Sequence, residues 1–221
     1  MPASSPADAV LAELDGVAAA AREPDVVLEA LAAGSASLDV ARRVACEAYH
    51  VARWTTPELA LLVANAPDVY AFTMDDAAHY RHWAHDLARR TGYLRDGGAP
   101  ITLAMCAALG VDAGAVRAYQ PIPETIAAAF TLVYYVRRSY EEALAAVACG
   151  WDPAADGVVA ALRWRYGAVA DAPAADAPSA RELLRAVSLT DAARARCREA
   201  VRNVALVRAT RVRAMNRWLA A

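Results

Sequence analysis

The feature that most limits what this chain can fold into is a run without proline or glycine from Glu124 to Cys149. Apolar residues there recur every three or four positions, which is the period of a helix packed on one side. The same period governs most of the 221 residues, and strand-like alternation is almost absent. Helices are expected at Pro6–Ala21 and Asp25–Ala33, then from a Ser37 cap to Trp54, and from Thr56 to Asn65 with Pro57 in its first turn. Further helices are expected over Pro67–Arg90, Ile101–Leu109, Asp112–Tyr119 and Glu124–Cys149, and from Pro153 to Tyr166. Ser179 and Thr190 cap the last two, the final one reaching Leu219. The fold class is all-α. The chain length suits one helical bundle over residues 1–221, with N-terminal helices in 1–36. The Ala, Asp and Pro of 168–178 mark a loop.

Charge and residue usage exclude several chemistries. The formal net charge of −2 offers no electrostatic basis for nucleic-acid binding. All 23 basic residues are arginine, which rules out a lysine Schiff base and a P-loop lysine. Cys46, Cys106, Cys149 and Cys197 are far apart in apolar helical surroundings and read as free buried thiols. The N-terminus lacks a basic segment and no long apolar run occurs, so neither a signal peptide nor a membrane span is expected, and the chain reads as cytoplasmic.

Three of the four histidines, His79, His82 and His85, fall within Ala66–Gly92; the fourth, His50, lies one helix earlier. On a helix, Asp75, His79, His82 and Asp86 lie within about 60° of one another. That stripe is either a ligand row or a solvated face opposite Tyr80, Trp83, Ala84 and Leu87.

Two apolar seams are interrupted by charge. Glu47 stands in the middle of Val40, Val44, Val51 and Trp54, where a carboxylate is costly unless paired or liganded. Arg137 interrupts Ile126, Phe130, Val133, Tyr140, Leu144 and Val147. Arg211 is a third, weaker interruption between Val204, Val207 and Trp218. Both Glu47 and Arg137 are expected to point inward, either as an interior ion pair or as parts of a polar cavity. In the cavity, Arg137 would clamp a substrate carboxylate bidentately.

From Ser37 to Trp218 the order of features resembles the heme-oxygenase-like superfamily, which includes the TenA thiaminases and pyrroloquinoline quinone synthase. The resemblance is carried by ALGVDAGAVRAYQPIPETIAAAFTLVYYVRRSYEEALAAVACG (108–150) and ALRWRYGAV (161–169), and it is nearest to the non-heme iron oxidases. It implies an oxidase or oxygenase of specialised metabolism, a homodimer, acting on a small carboxylate-bearing substrate. By this likeness Glu47, His82 and Tyr134 are the catalytic candidates, Arg137 and Tyr140 the substrate-binding ones. Glu47, Asp75 or Asp76, and His82 or His85 are the candidate iron ligands. Gly150-Trp151 and the histidine-free APAADAPSARELL stand where the family carries further ligands, so one iron at most is implied rather than two. The other readings are a non-catalytic binding or scaffold protein that kept the fold, and a TenA-like hydrolase with Cys149 nearest to the family's nucleophile.

Overall fold

The computed structural model describes residues 6–64, 101–150, 162 and 180–220. These are almost entirely helical, with no strand among the described residues, so the all-α expectation holds. No helix among them is long and apolar enough to cross a membrane. In chain order they are α1 (Pro6–Ala19), α2 (Val26–Ala33), α3 (Leu38–Ala64), α4 (Ile101–Ala108), α5 (Ala113–Ala118), α6 (Pro123–Arg138), α7 (Tyr140–Ala145), a π turn (Ala146–Gly150), α8 (Ala180–Ala186), α9 (Asp191–Asn216) and a final 3-10 turn (Arg217–Leu219).

Local chemistry sets most boundaries. Asp25 accepts from the Leu28 amide at the start of α2, and Gly34 ends that helix in the left-handed region at φ 72°, which only glycine enters without strain. Asp112 caps α5 through the Gly114 and Ala115 amides, and Thr190 caps α9 through Ala193. Pro123 opens α6 at its first turn, where a missing amide hydrogen is harmless.

Apart from one- to three-residue differences at helix ends, two elements depart from the sequence expectation. The helix starting at Leu38 does not stop at Trp54 but continues through Pro57 to Ala64. The expected single helix from Glu124 to Cys149 is broken at Ser139, which is extended (φ −157°, ψ 156°) and caps α7 by accepting from the Glu142 amide at 3.1 Å. The sequence signals this break. Ser139-Tyr140-Glu141-Glu142 is a Ser-x-x-Glu start motif set inside the helical run.

The apolar interior forms two clusters. One joins Leu11 and Leu14 of α1 to Leu132, Tyr135 and Val136 of α6, to α7 including Tyr140 and Leu144, and to Cys197, Ala200, Val201 and Val204 of α9. The other joins Val27 and Leu31 of α2, Val40, Val44, Cys46 and Tyr49 of α3, Met105 and Cys106 of α4, and Val116 of α5. Helix α6 packs against both α3 and α9. Arginines fasten α1 to the last two helices, through Arg181–Asp15, Arg185–Asp8 at 3.0 Å and Arg198–Glu13 at 2.8 Å. The four thiols are free, as expected, with Cys46, Cys106 and Cys197 buried and Cys149 half-buried.

Candidate functional site

Glu47 lies where its seam places it. Val40 and Val44 beside it are buried, and Glu47 itself is 0% exposed. Its Oε1 accepts from the Tyr119 hydroxyl at 2.8 Å and from the Ile122 amide at 3.1 Å. Both donors are neutral and come from the segment joining α5 to α6. Its Oε2 has no hydrogen-bond partner among the described residues. Burial first, and then the bond to Glu47, push the Tyr119 phenol above its ordinary range, so it keeps its proton and acts as a donor.

One turn along α3 stands His50, 3% exposed. Its Nε2 lies 3.0 Å from the Val116 carbonyl oxygen. A carbonyl can only accept, so Nε2 carries a proton. The ring's Nδ1 is also buried without a hydrogen-bond partner among the described residues. Tyr49, Trp54 and Tyr119 surround the imidazole, with ring centroids 5.2, 5.6 and 6.1 Å away. Tyr119 therefore links the two groups, bonding Glu47 by its hydroxyl and flanking His50 by its ring. Helix α5 holds the imidazole through Val116, and the chain just beyond α5 holds the carboxylate. Each of the two side chains therefore keeps one buried polar atom without a hydrogen-bond partner among the described residues.

Among the described residues, the other sequence candidates do not assemble around Glu47. Arg137 is exposed, which corrects the expectation that it points inward to Glu47 or a substrate carboxylate. The buried face of α6 is Thr125, Ala128, Ala129, Leu132, Val133, Tyr135 and Val136, and Ile126 and Phe130 of the expected seam are exposed. The error is one of phase. The seam ran through Ser139 as if the helix were continuous, so Tyr140 and Leu144 are buried in α7 while Arg137, before the break, is not. Tyr134 is 54% exposed and receives a hydrogen bond from Arg138 at 3.2 Å. Tyr140 is buried in the α1–α6–α9 cluster, whereas the residues flanking Glu47 belong to the α2–α5 cluster. Arg211 is half-buried and donates to Thr125 Oγ1 at 3.0 Å. Asp75, Asp76, His79, His82, His85 and Asp86 lie outside the described residues.

Residue-by-residue reading of the sequence missed the role of His50, although it sits three positions from Glu47, the spacing that puts two side chains on one helix face. It also missed a second buried carboxylate, Glu142, whose oxygens face Arg196 Nε at 3.0 Å and Arg138 Nε at 3.3 Å. Burial raises the Cys149 thiol to about 12, so it is protonated near neutral pH and is a poor nucleophile. No protein-family model matches the chain, and no curated protein matches it.

Proposed function

We propose that this protein is an oxidase or oxygenase of the heme-oxygenase-like type, acting on a small carboxylate-bearing metabolite inside the bundle beside Glu47. The observation that carries the reading is the Glu47 carboxylate itself. It is buried, held in place through one oxygen by neutral donors, and has its second oxygen uncommitted among the described residues. Burying an ionisable group without a counter-charge is costly, and such groups gather where a protein binds or transforms something. A carboxylate with a spare oxygen fits a non-heme iron, whose chemistry when bound is the activation of dioxygen. Glu47 would hold it, together with Asp75, His82 and His85 as the family likeness implies. The chain's own contribution is to orient that carboxylate through Tyr119 and the Ile122 amide and to shield it from water.

The test is dioxygen consumption by protein loaded anaerobically with Fe(II) and offered a panel of small carboxylates. Uptake is expected in the wild type and not in Glu47→Gln. Equal uptake in both would remove Glu47 from the reaction.

The bonds on Oε1 favour a second reading, a protein that kept the fold without catalysis. Through Tyr119 and Ile122, Glu47 ties the start of α6 to α3, which is a structural service in its own right. The TenA-like hydrolase is disfavoured by the protonated Cys149 thiol.

A further inference from the structure

We infer that Cys46 of α3 and Cys106 of α4 are an oxidisable dithiol, which a peroxide converts to a disulfide that clamps the two helices together. The pair shares no residue with the proposed oxidative centre and stands apart from that reading.

The two cysteines are far apart in sequence, and the packing of α4 against α3 brings them together. Cys46 is 4% exposed and Cys106 0%, both inside the cluster that α2 to α5 build. Their side chains hydrogen-bond each other, so the two sulfurs meet directly across the helix pair. That meeting is what a disulfide needs, since cysteines whose side chains point apart cannot be bridged without moving the backbone. The same hydrogen bond gives the two sulfurs different roles. The Cys106 S–H holds a negative charge on Cys46 and lowers the Cys46 thiol below its ordinary range, against burial and the Glu47 charge. Cys106, as the donor, is raised. Cys46 therefore ionises first, and the thiolate is the form that attacks an oxidant. Its Sγ takes one peroxide oxygen as the O–O bond breaks, giving a sulfenic acid, and the departing hydroxide is protonated to water. Cys106 Sγ then displaces the sulfenic hydroxyl, so S–S forms as S–O breaks, and the thiol proton leaves with that hydroxyl as a second water. In balance, two thiols lose two electrons and one peroxide becomes two waters. Burial admits a small neutral oxidant of this kind and excludes a bulky one. The new bond, about 2.05 Å long, is shorter than any sulfur–sulfur hydrogen bond, so closure draws α4 onto α3. The chain is already fastened there, because Arg42 Nε of α3 donates to the Leu109 carbonyl just beyond α4 at 2.8 Å.

The experiment uses the full chain, reduced, freed of reductant and treated with hydrogen peroxide in the presence of a chelator. Mass spectrometry should show the loss of two hydrogens, a peptide map should join the fragments holding Cys46 and Cys106, and dithiothreitol should restore both thiols. Burial holds Cys149 and Cys197 up at about 12, so the dithiol should be consumed about tenfold faster than either, or more. The oxidised protein should melt about 5–15 °C higher, because the bond closes a long loop of the unfolded chain. Cys46→Ala and Cys106→Ala should each abolish the thermal shift on peroxide treatment. The wild-type measurements need no variant to fold. Absence of the joined Cys46–Cys106 fragment, a bond between Cys149 and Cys197 in its place, or a melting point that fails to rise on oxidation overturns the inference. Dioxygen uptake has no bearing on any of these results, so the two readings fail separately.

Discussion

Glu47 allows its structural and functional roles to be separated, because two substitutions at that position should act with opposite sign. The comparison belongs in metal-free protein. In the wild type the Glu47 carboxyl group, with no exposure, accepts two hydrogen bonds, both from neutral donors. Removing a carboxylate ion from water costs several kcal/mol, and each hydrogen bond to a charged group returns about 1.5–3 kcal/mol. The ionised form therefore does little better than break even. Glutamine keeps an oxygen for both donors, and its amide nitrogen exchanges an unpartnered acceptor for an unpartnered donor, a change that cancels to first order. What remains is relief of the buried charge, so Glu47→Gln should leave stability level or raise it by up to about 3 kcal/mol. Alanine removes the acceptor altogether. The Tyr119 hydroxyl and the Ile122 amide are each then left wanting at about 1–3 kcal/mol, so Glu47→Ala should lose roughly 2–6 kcal/mol.

Urea denaturation followed by circular dichroism resolves this difference. In thermal scans it corresponds to about 2–4 °C per kcal/mol for a chain of this size. A Glu47→Gln protein less stable than wild type by more than about 1 kcal/mol would refute the reasoning. The negative charge would then itself stabilise the fold, and its burial would no longer point to a ligand.

Gly150 closes the π turn against α9. A Cβ there would sit 3.0 Å from the Val201 carbonyl oxygen and 3.2 Å from Val201 Cα, so the backbone itself must give way. Gly150→Ala should cost about 1–3 kcal/mol, read as a lower urea midpoint, and a neutral result would show that α9 is free to shift. Alkali should destabilise the protein through its buried thiols. Burial pushes Cys197 and Cys149 up to about 12 from an ordinary 9.0, so the folded chain keeps protons that the unfolded chain releases. That stability is complete below pH 9.0 and declines towards about 12, with a slope of up to about 1.4 kcal/mol per pH unit for each thiol. Cys197→Ala should flatten the slope, and the same slope as wild type would exclude that thiol as its source.

How far the sequence disclosed this architecture depended on how locally each feature is encoded. Caps and stops such as Asp25, Gly34, Asp112 and Thr190 are written in one or two residues and were readable. So was the inward face of α3, because an uninterrupted helix keeps its phase from Val40 to Glu47. Arg137 was misplaced because phase is cumulative. One extended residue at Ser139 resets the rotation, so a stripe drawn across it joins two unrelated faces. Pro57 shows the opposite failure, since a residue that usually breaks a helix is carried within α3. Tyr119 could not be linked to Glu47 from sequence at all. Their contact spans 72 positions and depends on how α5 lies across α3.

The two buried glutamates show how the interior distinguishes a carboxylate that belongs to the fold from one left for a ligand. Glu142 is 1% exposed, but arginines from α6 and α9 reach both its oxygens, and its amide closes the Ser139 cap. Its Oε2, like that of Glu47, has no hydrogen-bond partner among the described residues, but it meets Arg138 as an ion pair, so the charge is neutralised where it sits. Glu47 is as deeply buried, yet its hydrogen bonds come from a phenol and a backbone amide, neither of which cancels a charge. Evolution had arginine available throughout this chain, with 23 basic residues and no lysine among them. Placing two of them on Glu142 while bonding Glu47 only through neutral donors leaves the α3 carboxylate without a counter-charge and with one oxygen that has no hydrogen-bond partner among the described residues. A structural anchor needs neither property, since glutamine would hold Tyr119 and Ile122 equally well. A site that receives a cation needs both.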